Sequence, residues 1–370
     1  MAKRDSLPTV WTRPPHTKAK HDILTRYLGA WFGIFGHSRH PRVNVLDGFA
    51  GPGRYDDGEP GSPVLTLDSL LDHQSFSGFG NTQFNFIFNE WDAERYASLR
   101  EVLAGVRTKR TPWPTTVRVV ERNQNFQELA RELLAAIPAG KRLAPTFAFI
   151  DPFGYRDVPM ALIRDLVSHP SCELFIYFDF NSVNRFANAG NVDQHFTALF
   201  GCDEYKEAPA GDAGRAQFIH DLYERQLRKE CDFAHVCSFA MVNEGGHIGS
   251  YLFFCTRDDQ AYDKMKQAMW ALAPGGGYRF DDRLAGQPVL FEDEANTGPL
   301  QDELAQHFGG RTVPVQEITQ YVVRSTPFHS GQVKVKTLKP MQAAGRIFSP
   351  NQKKKGTFPD GTMVAFPAQD

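Results

Sequence analysis

The sequence predicts an α/β domain with a mainly parallel sheet, followed by a smaller helical domain that ends in a hairpin. Three observations predict it. Short apolar runs alternate with helix-length amphipathic stretches through the first half of the 370 residues, the pattern of βαβ units with helices on both sheet faces. Two longer apolar runs then flank a Gly-rich connection and read as an antiparallel hairpin. Beyond a stretch rich in Gly, Pro and acid, the charge balance changes sign.

The first five strands are expected over 43–46, 84–88, 117–120, 146–150 and 174–178. Polar residues cluster at their ends: Asp47, Glu90, Asn123, Asp151 and Asp179. Helical patterns cover 21–35, 92–103, 125–136 and 158–167. A helix over 215–229 precedes strands over 233–241 and 249–256, joined through Asn243-Glu244-Gly245-Gly246-His247. Five parallel-type strands, a helix and an antiparallel pair are the element order of a Rossmann-like class I methyltransferase sheet, assigned to 1–290. Such sheets bind ligands outside the C-terminal ends of their strands. Residues 273–299, with Pro274-Gly275-Gly276-Gly277 and Asp281-Asp282, read as a linker or an extended excursion. Helices over 300–308, 314–324 and 332–344, a Lys-rich turn and an apolar run over 363–366 outline a winged-helix-like domain over 300–370.

Composition excludes several classes. An apolar fraction of 41% with 23% charged residues is ordinary globular usage, not a disordered, collagenous or coiled-coil chain. No apolar run approaches the roughly 18 residues of a membrane span, and no apolar region follows Met1-Ala2-Lys3-Arg4-Asp5. The five cysteines form no CxxC, so a reducing, cytoplasmic setting is expected, with no zinc site and no disulfide framework. The net charge of −2 hides an asymmetry: residues 318–359 hold eight Lys or Arg and no acid, leaving −10 on the rest. Such a segment suits a polyanionic partner. A solvated basic tail is the plainer reading.

The strand-end residues carry the chemistry. Asp47-Gly48-Phe49-Ala50-Gly51-Pro52-Gly53 follows the first strand. Glycines there let the backbone turn and approach a ligand closely, and the acid accepts from an ammonium or hydroxyl. The Asp-x-Phe-x-Gly-x-Gly form fits an S-adenosylmethionine loop better than a dinucleotide fingerprint, with Asp47, Phe49, Gly51 and Gly53 as candidate cofactor contacts. Glu90 suits a ribose diol, although it lies 43 residues after Asp47 rather than about 20. Asn123 or Asn125 would meet the adenine. Phe149-Ile150-Asp151-Pro152-Phe153-Gly154-Tyr155 resembles the Asp-Pro-Pro-Tyr motif of amino-group methyltransferases, with Phe153 for the second Pro and Gly154 for the Tyr. Asp151, Pro152 and Phe153 are the catalytic candidates, and either Phe153 or Tyr155 would stack on a base. Gly61-Ser62-Pro63 reads as a helix start, with Ser62 as the cap, or as a ligand contact. Ser182 after Asp179 is open to the same two readings.

Over nearly its whole length the chain resembles the three-Cys-motif partner family, through 18–31, 47–55, 61–63, 149–154 and Lys355-Gly356-Thr357-Phe358-Pro359-Asp360-Gly361. That resemblance implies a partner protein with three clustered cysteines, similar to radical-S-adenosylmethionine enzymes. Residues 47–63 are also similar to bacterial 23S ribosomal RNA adenine-N6 methyltransferases, which implies nucleic acid, DNA or RNA, as substrate. Lysines like Lys18 and Lys20 lie near the substrate in those enzymes. At the C-terminus, Lys334, Lys336 and Lys339 on the third helix and Lys353, Lys354 and Lys355 on the turn suit a winged-helix grip on phosphates. The expected function is S-adenosylmethionine-dependent methyl transfer to a base amino group. The alternative is a non-catalytic nucleic-acid-binding subunit of the three-Cys partner.

Overall fold

In the computed structural model, residues 8–154, 156–186, 193–209, 212–243, 245–273, 278–281 and 296–368 are described. The chain forms two compact units, one running to 258 and also taking in 280–285, the other comprising 259–279 and 286–370.

In the first unit, β1 (Arg42–Asp47), β2 (Gln83–Asn89), β3 (Val117–Arg122), β4 (Thr146–Ile150) and β5 (Glu173–Phe178) run parallel, while β7 (Ile248–Thr256) lies antiparallel between β5 and β6 (His235–Val242). The order is β3-β2-β1-β4-β5-β7-β6, with β8 (Arg279–Asp281) at the edge. Five parallel strands and a reversed seventh, in that order, are the class I methyltransferase sheet that the sequence predicts. Order reverses between β1 and β4, so the crevice opens at their C-terminal ends.

Side chains alternate across the strands and find helices on both faces. On one face α1 (Pro15–Gly36) buries an aromatic stripe. The Tyr27 ring lies 5.6 Å from Phe147 and 4.9 Å from Phe254, and Phe32 lies 5.7 Å from Phe84. On the other face Ala148, Ile150, Leu174 and Ile176 join a core with residues of α4 (Phe126–Ala135), α5 (Met160–Leu166) and α8 (Asp212–Cys231). Two further helices, α2 (Ser62–Leu71) and α3 (Ala93–Lys109), follow β1 and β2. The connection after β5 forms α6 (Phe180–Phe186) and α7 (Asp193–Phe200), which periodicity did not reveal. Ser182 is not the cap there: Asp179 Oδ1 accepts from the Ser182 amide at 3.1 Å. The hairpin connection is present, with the Asn243 amide donating to the His247 carbonyl at 2.9 Å, although Glu244 lies outside the described residues.

The second unit starts with α9 (Asp259–Leu272), a helix absent from the sequence reading, whose boundary of 290–300 lies later than this division. Trp270 of α9 belongs to the core that Leu300, Leu304, Ile318, Val322, Leu338 and Val364 build. Of the expected linker, 274–277 and 282–295 lie outside the described residues. There follow α10 (Gly298–Phe308), β9 (Thr312–Pro314), α11 (Val315–Ser325), a helical segment over 330–343 and β10 (Met363–Ala365). β10 pairs antiparallel with β9, and Phe348 bridges Ala365 on its other side. A buried ammonium closes α11: Lys266 Nζ donates to the carbonyls of Val323 and Thr326 at 2.6 Å each and of Phe328 at 3.1 Å, where the helix dipole favours a cation. The expected third helix is not uniform. Residues 333–338 are π-helical and α12 (Lys339–Ala343) follows. Pro340 has no N–H for the Lys336 carbonyl, which accepts instead from Thr297 Oγ1 at 2.6 Å.

Candidate functional site

The β1 end is built around a buried carboxylate. Asp47 is 1% exposed. Its Oδ2 accepts from Ser62 Oγ at 2.7 Å and its Oδ1 from the Phe49 amide at 3.2 Å. Burial pushes its pKa up to about 7, against those two hydrogen bonds, and nearby Asp151 adds to the rise. Ser62 is therefore not the helix cap: Gly61 holds that position and the Ser62 hydroxyl serves Asp47. The loop needs its glycines. Gly51 and Gly53 have φ of +62° and +79°, where a side chain is strained. At Gly48 a Cβ would lie 2.7 Å from the Phe126 ring.

Glu90, at the β2 end, is 3% exposed, and burial raises its pKa. Its carboxylate accepts from the Gly51 amide at 3.1 Å and the Asp92 amide at 2.8 Å. It thereby ties the glycine loop to the start of α3. Asn123 lies outside the lining of the cavity at this end: its Nδ2 donates to the Glu90 and Trp91 carbonyls at 2.8 and 3.0 Å. Asn125 lines that cavity and caps α4 through the Glu128 amide at 2.9 Å.

At the β4 end, Asp151 Oδ2 accepts from Lys20 Nζ of α1. The Lys20 side chain is 8% exposed and that of Asp151 24%. Lys18, two residues earlier, points to solvent and pairs with Asp22 at 2.6 Å. The Pro152 carbonyl accepts from the Gly154 amide at 3.0 Å. Phe153 is 48% exposed and meets Trp11 edge-on at 5.7 Å, with the Arg95 guanidinium 5.6 Å from its ring. Tyr155 lies outside the described residues.

Three cavities run across these strand ends and share Phe153. The largest, about 520 Å³, is lined by Gly48, Phe49, Glu90, Trp91, Asn125 and Phe126 among others. A small one, about 40 Å³, lies at Gly51, Gly53, His21 and Asp151. The third, about 230 Å³, holds Lys20, Tyr55, Asp151 and Tyr177. Two residues lining these cavities carry a buried polar atom without a partner: Asn89 Oδ1 at the largest cavity and His21 Nδ1 at the smallest. Burial, with Lys20 and Arg13 nearby, lowers the His21 pKa well below its ordinary value. Trp11, His21, Arg95 and Tyr177 carry no motif, and only their spatial convergence identifies them. Among the described residues no group of His, Cys, Asp and Glu has the makings of a metal site. No described helix is long and apolar enough to cross a membrane.

The six basic candidates of the second unit lie apart from these cavities in the sequence. Lys334 pairs with Asp360 at 3.0 Å, Arg324 with Asp259 at 2.5 Å and Arg346 with Asp302 at 2.7 Å. Lys336, Lys353, Lys354 and Lys355 are exposed.

No protein-family profile matches the chain, and no curated protein matches it. Solved structures similar to it include Trm1 from Pyrococcus horikoshii with S-adenosyl-L-methionine, at 9% identity and a TM-score of 0.40, covering 100% of this chain and 94% of that one. Human methyltransferase-like protein 13 with SAH is 12% identical over 68% of this chain and 89% of that one, with a TM-score of 0.35. A putative rRNA methylase from Clostridium thermocellum is 8% identical over 62% and 94%, with a TM-score of 0.27. Scores this low add nothing to the strand order, which establishes the fold by itself.

Proposed function

We propose that the chain is an S-adenosylmethionine-dependent methyltransferase acting on an amino group of a nucleic-acid base. The observation that carries the reading is the group of three cavities that share Phe153, the smallest of which is lined by both the glycine loop and Asp151. The residues fit the cofactor. Asn89 Oδ1 and His21 Nδ1 are buried, unpartnered polar atoms at the two cavities beside the glycine loop. Phe49, Trp91 and Phe126 would flank the adenosine and Gly51 and Gly53 the methionine part, with Asp47 buried behind that loop. Bound there, the cofactor supplies an electrophilic methyl group on a sulfonium. Asp151 accepts an N–H of the target amine and so aims its lone pair, while Phe153, Tyr55 and Trp11 offer aromatic faces to a flat base. Such a site works mainly by alignment, without a strong base.

The second unit supports the nucleic-acid part. Its order of helix, β9, helix, helix, Phe348 bridge, basic loop and β10 reads as winged-helix-like. Lys353, Lys354 and Lys355 are exposed on that loop, free for phosphates.

One observation favours a second reading, a non-catalytic subunit of a three-Cys-motif protein. The Lys20 ammonium already holds Oδ2 of Asp151, the carboxyl that a target amine would use. Transfer of a tritiated methyl group to pooled ribosomal RNA, transfer RNA and genomic DNA decides between them. Methyltransferase function predicts incorporation that falls about 10²- to 10³-fold in Asp151→Ala, the cost of one lost transition-state hydrogen bond. No incorporation into any nucleic acid, with cofactor bound, favours the subunit.

A further inference from the structure

On the face of the sheet that carries α4, one row of polar side chains crosses four strands. Thr146, Asn44, Asn85 and Arg118 stand in register on β4, β1, β2 and β3. The row is a directed chain of hydrogen bonds. Thr146 Oγ1 donates to the Ala144 carbonyl at 2.7 Å, which leaves it to accept from Asn44 Nδ2 at 3.2 Å. Asn44 Oδ1 then accepts from Asn85 Nδ2 at 3.2 Å. A carbonyl fixes one end, so the amide orientations follow. The chain terminates at Asn85 Oδ1, a buried acceptor with no donor, on a side chain 9% exposed. Buried strands rarely spend three polar side chains to leave an acceptor unmet.

Asn85 lines a cavity of about 370 Å³, within the size range of small-molecule sites. Four arginines line it: Arg42, Arg118, Arg122 and Arg142. Arg122 is paired with Glu132, the cavity's lone acid, at 3.4 Å. Arg42, Arg118 and Arg142 have no acidic partner within 4.0 Å among the described residues. Ile87, Leu133 and Ile137 supply an apolar wall. None of these residues belongs to the strand-end cavities.

The geometry points to a second ligand site, on the face of β1, β2 and β3, for a free mononucleotide. Guanidinium forks match phosphate oxygens bidentately. Asn85 Oδ1 requires an N–H or O–H, which a base or ribose carries, and the apolar wall suits the flat body between them. This site stands whether or not the strand ends bind S-adenosylmethionine.

Calorimetric titration of the full chain with UMP, in saturating S-adenosylhomocysteine, tests it, because the pyrimidine and the competitor keep the probe out of the larger cavity. One equivalent of UMP should bind, with uridine far weaker. Arg42→Ala and Arg118→Ala, both at exposed positions, should each weaken binding about tenfold or more. Arg26→Ala, exposed on α1 against the opposite sheet face, should leave it unchanged. Absence of UMP binding overturns the proposal. So does equal affinity in both arginine variants, or a 5′-phosphorylated oligonucleotide that binds where UMP does not.

Discussion

Asp47 and Asp151 end neighbouring strands, yet the protein treats the two carboxyls oppositely. Asp47 is sealed from water and accepts hydrogen bonds from one hydroxyl and one amide, so burial drives its pKa to about 7. Asp151 keeps a quarter of its side chain exposed and holds an ammonium. The difference separates two tasks. A carboxyl near its own pKa, behind a glycine loop, stays uncharged cheaply until a cation arrives. One that is partly exposed beside a cavity and bonded to Lys20 through Oδ2 presents its other oxygen to a further donor.

Conservative substitutions should pull the two apart in sign. Folded Asp47 holds its proton more tightly than the unfolded chain does, so its contribution to stability falls as pH rises from about 4 through about 7. The loss reaches the order of 4 kcal/mol above that range, at 1.36 kcal/mol per unit. Asp47→Asn cannot ionise and should melt higher than the parent at pH 8. Its remaining slope should combine Glu173, which burial, against a hydrogen bond from Tyr27, pushes up to about 8, with Glu90 of the same sign and His21 of the opposite sign. Asp151→Asn leaves the Lys20 ammonium buried without its counter-charge and should lose about 1–3 kcal/mol at pH 8. Thermal melts of both variants at pH 5 and pH 8 check the pair. Equal shifts in both would erase the distinction.

A smaller effect belongs to the second unit, where the contrast is between paired and unpaired cations. Replacing Lys353, Lys354 and Lys355 together by Gln should lower the salt slope of duplex DNA binding by about three if all touch phosphate, at about 0.9 per contact. Lys334→Gln, already paired with Asp360, should change it by less.

Much of this was legible in local sequence. Strand spans and their polar ends could be read because glycines, Asp-Pro and Asn-Glu punctuate apolar runs, and the element order then dictates the sheet. Residue types at the crevice were legible for Asp47, Glu90 and Asp151 for the same reason. Partners were not. Ser62 reads as a cap, yet its hydroxyl crosses to Asp47, 15 residues back. Asn123 reads as a ligand contact, but its amide is consumed by backbone carbonyls of the neighbouring strand end. Lys20 rather than Lys18 reaches Asp151, because the helix rotates by about 100° per residue. The polar row depends on the register of four strands drawn from distant segments, which no local pattern encodes.

The central claim is that the glycine loop at the β1 end holds S-adenosylmethionine. Calorimetric titration with S-adenosylhomocysteine tests it most directly, on the parent chain, Asp47→Ala and Gly51→Val. The parent should bind one equivalent. Both variants should bind none measurably while still melting cooperatively, the valine because φ at that position is +62°. No binding by the parent, or parental affinity in both variants, would contradict the account.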